Sequence, residues 1–434
     1  MTFARVAALA VVVAACGKPA SGPTYYADVK PIVDARCTKC HVAGGIAPFA
    51  LGTYAELVAK KDKLHDAVRD RIMPPWMPDD HCNSYLGDRT LTDDQRSLIV
   101  RWVESGALVG EPSQAGQPLA QAPSPSLSRV DATLAMATPY VPRESPDEYR
   151  CFLLDWPATT TKFITGFSAK PGNPAVVHHV IAYLIAPADV ASYQALDGAD
   201  GHPGYSCFGG PGGPSDNINF LGGWTPGTDG LDFPAGTGLR VDAGSKLVLQ
   251  LHYNTAAVTG TPAPDRTSLQ LKLDDHVEKE AAFVPWVNPR WLNHKMPIPA
   301  GAADVVHSFA LDITPFAADY TNGTIASNEP FTVYTARLHM HTRGSHGRLD
   351  ILRASGEDTC LLEIPRWDFH WQADYELAKP VVFQPGDQLS IECHWDNSAA
   401  HQPLVDGKPV APTDLNWGER TEDEMCIGFF YVSQ

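Results

Sequence analysis

The stretch Lys246-Leu247-Val248-Leu249-Gln250-Leu251-His252-Tyr253 has the period of an extended strand, with Leu247, Leu249 and Leu251 on one face and Val248, Gln250 and His252 on the other. Outward from it, segments of the same kind recur from about residue 133 to the C-terminus, separated by Gly/Pro/Asn/Asp clusters, which is the pattern of β-sandwiches. The 37 prolines and 35 glycines among 434 residues also favour short strands and turns over long helices. Residues 25–110 read differently. Tyr26 to Arg36 and Tyr54 to Met73 have helical spacing, and Thr92 to Ser105 forms an amphipathic helix that Thr92 and Gln95 open as a capping box. Residues 111–132 are rich in Gly, Pro, Ser, Ala and Gln and form a linker. The Gly209 to Gly213 stretch precedes neither Lys-Ser/Thr nor a helical pattern, so it is a loop and not a phosphate cradle. The expected fold is a small all-α domain followed by two all-β sandwich domains.

A net charge of −17 excludes a nucleic-acid partner, which requires a concentrated basic face. The N-terminus carries Arg5, an apolar run and then Val13-Ala14-Ala15-Cys16, which resembles a bacterial lipoprotein signal. The expectation is a signal peptide over 1–15, lipid on Cys16, a tether over 16–24, and a mature protein exported to the periplasm or cell envelope and anchored to a membrane. An ordinary signal peptide is the alternative; the run is short for a bilayer span. Of nine cysteines, one is assigned to lipid and two to the motif below, leaving six for disulfides in an oxidising compartment, with connectivity open.

Cys37-Thr38-Lys39-Cys40-His41 follows a helix. Two thiols separated by two residues can add to the two vinyl groups of a haem, and the histidine that follows then sits beneath the iron. A zinc or disulfide CxxC is the alternative. Met73, in Arg71-Ile72-Met73-Pro74-Pro75-Trp76, is the expected sixth ligand and Met77 its rival; a thioether raises the potential toward that of an electron carrier. Together with Gly87-Asp88-Arg89 and Trp102-Val103-Glu104-Ser105-Gly106-Ala107, the stretch resembles small c-type cytochrome domains.

Two histidine clusters lie in the β region. In Phe331 to His341, period two places Arg337, His339 and His341 on one face, so two imidazoles project side by side where one metal can take both; a solvated polar stripe is the alternative. His178 and His179 are adjacent, so a regular strand points them to opposite faces, and their use on one metal requires a bulge, a twist or a strand end. His252 is a candidate third nitrogen donor.

The order of these pieces resembles the copper type II, ascorbate-dependent monooxygenases, the family of peptidylglycine α-hydroxylating and dopamine β-monooxygenases. The resemblance runs from about residue 133 to 434 through Pro142-Arg143-Glu144-Ser145, Tyr149-Arg150-Cys151, Val177-His178-His179, Gly244-Ser245-Lys246, Leu251-His252-Tyr253, Leu338-His339-Met340-His341, Gln384-Pro385-Gly386-Asp387 and Asp423-Glu424-Met425-Cys426. It implies two jelly-roll-like sandwiches, set at 133–285 and 286–434, and two copper ions. The electron-transfer copper would be held by His178, His179 and His252, and the catalytic, oxygen-binding copper by His339, His341 and Met425. It further implies the disulfides Cys151–Cys207 and Cys393–Cys426, while Cys82 and Cys360 have no counterpart and either bridge or stay free.

The implied reaction is hydroxylation of a C–H bond with O2, the attached haem replacing or relaying ascorbate as the source of electrons, with a reductant or electron-donor protein upstream. The substrate is a small or peptide-like molecule. Arg337 matches an arginine that clamps a carboxylate in the peptide-hydroxylating branch; an ion pair with a nearby carboxylate is its alternative role. That branch has Asn and Tyr where this chain has Ile427 and Phe429, which points away from a peptide C-terminus toward a more apolar substrate. The alternative function is a non-catalytic copper-binding electron-transfer protein. A zinc hydrolase is the weakest reading, since no general base accompanies the histidines and a haem would have no role.

Overall fold

Helices form in the N-terminal region where one face is apolar, and two of them open on a capping box. A computed structural model describes residues 22–434 except 44–46, 121–125, 208–209, 214–218, 225–229, 256–257, 370, 406–407 and 419. The expected signal peptide and Cys16 lie outside the described residues. The chain divides into two compact units, one made of residues up to Pro75 with Arg89–Gln121, the other of Trp76–Asp88 with Ala122–Gln434.

In the first unit a helical turn at Tyr25–Val29 leads into the helix Lys30–Arg36, followed by helices Tyr54–Ala59, Lys61–Arg69 and Asp93–Glu104. The expected capping box is present: Gln95 N–H donates to Thr92 Oγ1 at 3.2 Å and Thr92 N–H to Gln95 Oε1 at 3.1 Å. Thr53 and Glu56 form a second one. The apolar stripe of the last helix turns Ile99 and Trp102 into a core with Val29, Val33, Leu57 and Val68, and the Trp102 indole donates to the Leu108 carbonyl at 2.9 Å.

In the second unit, the sheet bearing the opening segment has the order Tyr205–Ser206, Asp147–Asp155, Lys246–Asn254, Val177–Ile185, Asn219–Trp224. The Lys246–Asn254 strand is central and buried on both faces; Val248 and Gln250 are enclosed as fully as the leucines, and the Gln250 amide donates to the Gly210 carbonyl at 2.8 Å. The alternation in sequence therefore marks two covered faces and not an inside and an outside.

A nine-stranded sheet links the two halves of this unit. Its main path runs Ala132–Ala135, Ser268–Asp274, Lys162–Lys170, Thr237–Val241, Lys279–Trp286, Ile427–Ser433, Phe331–His339, Tyr375–Phe383. The expected boundary at 285/286 falls inside the Lys279–Trp286 strand. That strand pairs in parallel with Thr237–Val241 and antiparallel with Ile427–Ser433, so the halves share one hydrogen-bonded ladder. A four-stranded sheet, Val305–Leu311, Gln388–Trp395, Gly344–Leu352, Thr359–Ile364, covers the C-terminal half. Trp286, Leu338, Met340, Leu349, Ile391 and Trp395 fill the core behind it.

The span 25–110 is likewise not one unit, because Trp76–Asp88 belongs with the strands. Tyr85 bridges to Leu377, Asp79 N–H donates to the Glu363 carbonyl at 2.8 Å, and Cys82 is bonded to Cys360. Backbone donors of this segment are satisfied by strand carbonyls, which a local helical reading does not reveal. Met77 packs against the C-terminal core, and its sulfur accepts the Asp368 N–H at 3.3 Å. Cys151 pairs with Cys207 and Cys393 with Cys426.

Replacing both Cys82 and Cys360 with serine is expected to lower the stability of the β unit by about 2–4 kcal/mol. The check is the midpoint of its urea transition, with the transition of the helical unit unmoved.

Candidate metal centres

The first centre is built by three neighbouring strands. His179 and His252 are register partners, and Tyr149 lies opposite His252 on its other side. The register is interrupted between Val177 and His179, so His178 is an extra residue and both adjacent imidazoles turn to the same place. His178 Nδ1 lies 3.4 Å and His252 Nδ1 3.3 Å from His179 Nδ1. Two nitrogens bound at about 2.0–2.1 Å to one tetrahedral ion are themselves about 3.3–3.4 Å apart. The trio therefore has the spacing of a ligand set.

Asp147 fixes the third imidazole. Its Oδ1 lies 2.8 Å from His252 Nε2 and also accepts from the Asn254 amide at 2.8 Å. A carboxylate only accepts, so Nε2 carries the proton and Nδ1 presents its lone pair to the other two rings. The hydrogen bond to His252 holds the Asp147 carboxyl below its usual range, although partial burial opposes this. Tyr149 stacks on His252 with ring centres 4.2 Å apart and planes 5° from parallel. Loss of solvent, followed by the neighbouring His252 and His178, pushes His179 well below the normal imidazole range and keeps it neutral, as a metal ligand must be.

The second centre sits where the Phe331–His339 strand ends. In its ladder with Ile427–Ser433, His339 pairs with Ile427. The His339 and His341 rings lie 5.1 Å apart, and Met425 stands two residues before Ile427, partly buried against the core of this half. His339 Nδ1 lies 2.6 Å from Gln372 Oε1 and His341 Nδ1 3.0 Å from the Asp423 carbonyl. Both acceptors demand a protonated Nδ1, which leaves both Nε2 atoms as donors to a metal. Desolvation brings His339 down to about 3 and His341 to about 4.

Beneath them Glu424 is fully buried. It accepts from the N–H groups of His341 at 3.0 Å and Arg343 at 2.6 Å and from the Trp395 indole at 2.8 Å, which ties the histidine strand to the residue before Met425. Burial pushes its carboxyl up to about 7 against these donors. The Cys393–Cys426 disulfide fastens the residue after Met425.

Phe369 touches both centres, its ring 6.3 Å from that of His178 and 6.0 Å from that of His341. Arg337 is 3.5 Å from Asp374, which gives it the carboxylate partner that sequence left as its alternative role. Phe429, its register partner, stacks on Phe220 at 5.1 Å. Asp147, Gln372, Phe369 and Glu424 escaped the sequence reading as site residues. Only Glu424 lay in a quoted motif, and nothing there distinguished its role from that of its neighbours.

In the helical unit, Cys37 and Cys40 are free thiols, in contrast to the six paired cysteines. Burial, followed by the neighbouring Cys40, pushes the Cys37 thiol up to about 12. His41 Nδ1 lies 2.9 Å from the Phe49 carbonyl, so Nδ1 carries the proton and Nε2 keeps its lone pair, as an axial ligand requires. These residues fit a covalent haem. Met73 belongs to the same unit.

Two imidazole-rich clusters in the β unit have the donor types of metal centres, and comparison with known proteins adds a family likeness. Residues 318–433 match the family model described as copper type II ascorbate-dependent monooxygenase, C-terminal domain. Among curated proteins, the chain is similar to DBH-like monooxygenase protein 2 of Mus musculus, 24% identical over 296 residues, covering 66% of this chain and 43% of that protein. It is also similar to DBH-like monooxygenase protein 1 of Gallus gallus, 22% identical over 212 residues, covering 48% and 31%. The chain thus spans less than half the length of these relatives. Both findings support the resemblance to this family, whose description names copper. A solved glycosylasparaginase, PNGase F of Flavobacterium meningosepticum, aligns over 70% of this chain and 96% of its own at 12% identity, but its TM-score of 0.28 is too low to bear on fold or function.

Asp147→Ala is expected to weaken metal binding at the first centre by about 10–100-fold, measured by competition with a chelator, because the His252 ring loses its orienting partner. In the metal-free protein His339 and His341 take up protons near pH 6.5 when unfolded but only near 3–4 when folded. Their contribution to stability is therefore complete above about pH 6.5 and is lost as pH falls toward 4. Chemical denaturation across that window should show the slope, and His339→Gln with His341→Gln should flatten it.

Proposed function

We propose that this chain is an exported copper-dependent monooxygenase that hydroxylates a substrate C–H bond, with electrons delivered through a fused c-type haem. The observation that carries the reading is the presence of two separate sets of imidazoles, in which ring nitrogens of His252, His339 and His341 are tied to acceptors, in a chain whose C-terminal part matches the copper monooxygenase family model. O2, two electrons and two protons convert R–H to R–OH and water, so a donor of single electrons and two metal centres match what the reaction consumes.

His178, His179 and His252 would hold one copper, and His339, His341 and Met425 the other. Copper cycling between +1 and +2 supplies the one-electron chemistry, and the thioether of Met425 favours the reduced state. Asp147, Gln372 and the Asp423 carbonyl fix the imidazole tautomers. Cys37, Cys40, His41 and Met73 would hold the haem. Ile427 and Phe429, with Phe220 stacked on the latter, and an Arg337 already matched by Asp374, favour an apolar substrate over one with a carboxylate. Three disulfides agree with an oxidising compartment, and the lipoprotein-like N-terminus supplies the route there and a membrane anchor.

The rival reading is an electron-transfer copper protein without catalysis. Oxygen consumption coupled to reoxidation of the haem separates the two. Met425→Ile is expected to lower the rate by at least about 100-fold with haem loading intact, and cells carrying His339→Ala should lack a hydroxylated metabolite present in the parent. An unchanged rate in both variants contradicts the proposal.

A further inference from the structure

A second kind of metal-ligand cluster lies in the four-stranded sheet, apart from both centres described above. The Gly344–Leu352 and Gln388–Trp395 strands pair antiparallel with His346 opposite His394 and Arg348 opposite Glu392. Gly347, Leu349, Ile391 and Cys393 are buried on the core side, so period two places His346, Arg348, Glu392 and His394 together on the other face, where all four are half-buried. The His346 and His394 rings are 4.6 Å apart at 66°. One donor atom from each of His346, Glu392 and His394 lies within 4.8 Å of the others.

Each imidazole is also held by a carboxylate outside this trio. His394 Nδ1 is 2.7 Å from Asp304 Oδ1, while its Nε2 is 3.1 Å from Glu392 Oε1; His346 Nε2 is 3.2 Å from Glu363 Oε1. Donors at about 2.0–2.2 Å from one ion lie about 3.3–4 Å apart, so closure on a cation needs displacements of roughly 1 Å by partly exposed side chains. Arg348 pairs with Asp350 and Glu363, while Asp304 and Glu392 both pair with His394. Two imidazoles and a carboxylate, with a carboxylate orienting an imidazole from behind, make the donor set of a borderline divalent cation.

We propose that His346, Glu392 and His394 bind a divalent cation of the zinc class, with Asp304 orienting His394. The ion cross-links the two strands at the position next to Cys393, and so braces the strand whose disulfide holds the residue after Met425. This inference does not depend on copper at the other centres.

The test uses the full chain, stripped with a chelator, dialysed against Zn(II) alone and counted by elemental analysis. His394→Gln and Glu392→Gln should each hold one zinc fewer than wild type, whereas His178→Ala with His339→Ala should keep that equivalent. Asp304→Asn should weaken it by about 10–100-fold, an effect an ion-pair role would not produce. Zinc should also raise the melting temperature of the wild type more than that of Glu392→Gln, an exchange on a half-buried face that leaves the core untouched. Equal zinc counts in wild type, His394→Gln and Glu392→Gln overturn the proposal, and so does a count lowered only by His178→Ala with His339→Ala.

Discussion

Adjacent residues on a regular strand face opposite sides of the sheet, and the interrupted register between Val177 and His179 lifts that restriction. Without the extra residue, His178 and His179 could not both meet His252. The neighbouring ladder supplies the rest: His179 opposite His252, Tyr149 opposite His252 on the other side, and Asp147 at the strand start where its carboxylate reaches Nε2. One backbone irregularity thus sets the geometry of a three-nitrogen centre. In the second centre His339 and His341, two residues apart, bring their rings within 5.1 Å of each other, and His339 pairs with Ile427, two residues after Met425.

A common device prepares the imidazoles. A ring nitrogen that donates to a fixed acceptor leaves the other as a lone pair, and the acceptors here are a carboxylate for His252, a side-chain amide oxygen for His339, and main-chain carbonyls for His341 and His41. Removal from solvent then keeps His179, His339 and His341 neutral. Glu424 accepts the main-chain N–H groups of His341 and Arg343, which holds the end of one strand to the start of the next.

Much of this was legible along the chain because it is local. Strand period placed His339 and His341 on one face, Thr92 and Gln95 marked a helix start, and the adjacency of His178 and His179 already required a bulge, a twist or a strand end if both were to serve one metal. What stayed hidden is long-range. That Lys279–Trp286 joins two halves in one sheet, or that Trp76–Asp88 leaves the helical region for the strands, depends on pairing between residues far apart in sequence. Asp147, Gln372 and Phe369 escaped notice for the same reason. A single carboxylate, amide or aromatic has no periodicity, and its role arises from what folding sets beside it.

The central claim is that six side chains form two metal centres. Crystals of the copper-loaded protein, measured for anomalous scattering at the copper edge, test it most directly. The account predicts two peaks per chain, one within bonding distance of nitrogens from His178, His179 and His252, the other bounded by His339, His341 and the sulfur of Met425. A single peak, or peaks away from either trio, would contradict it.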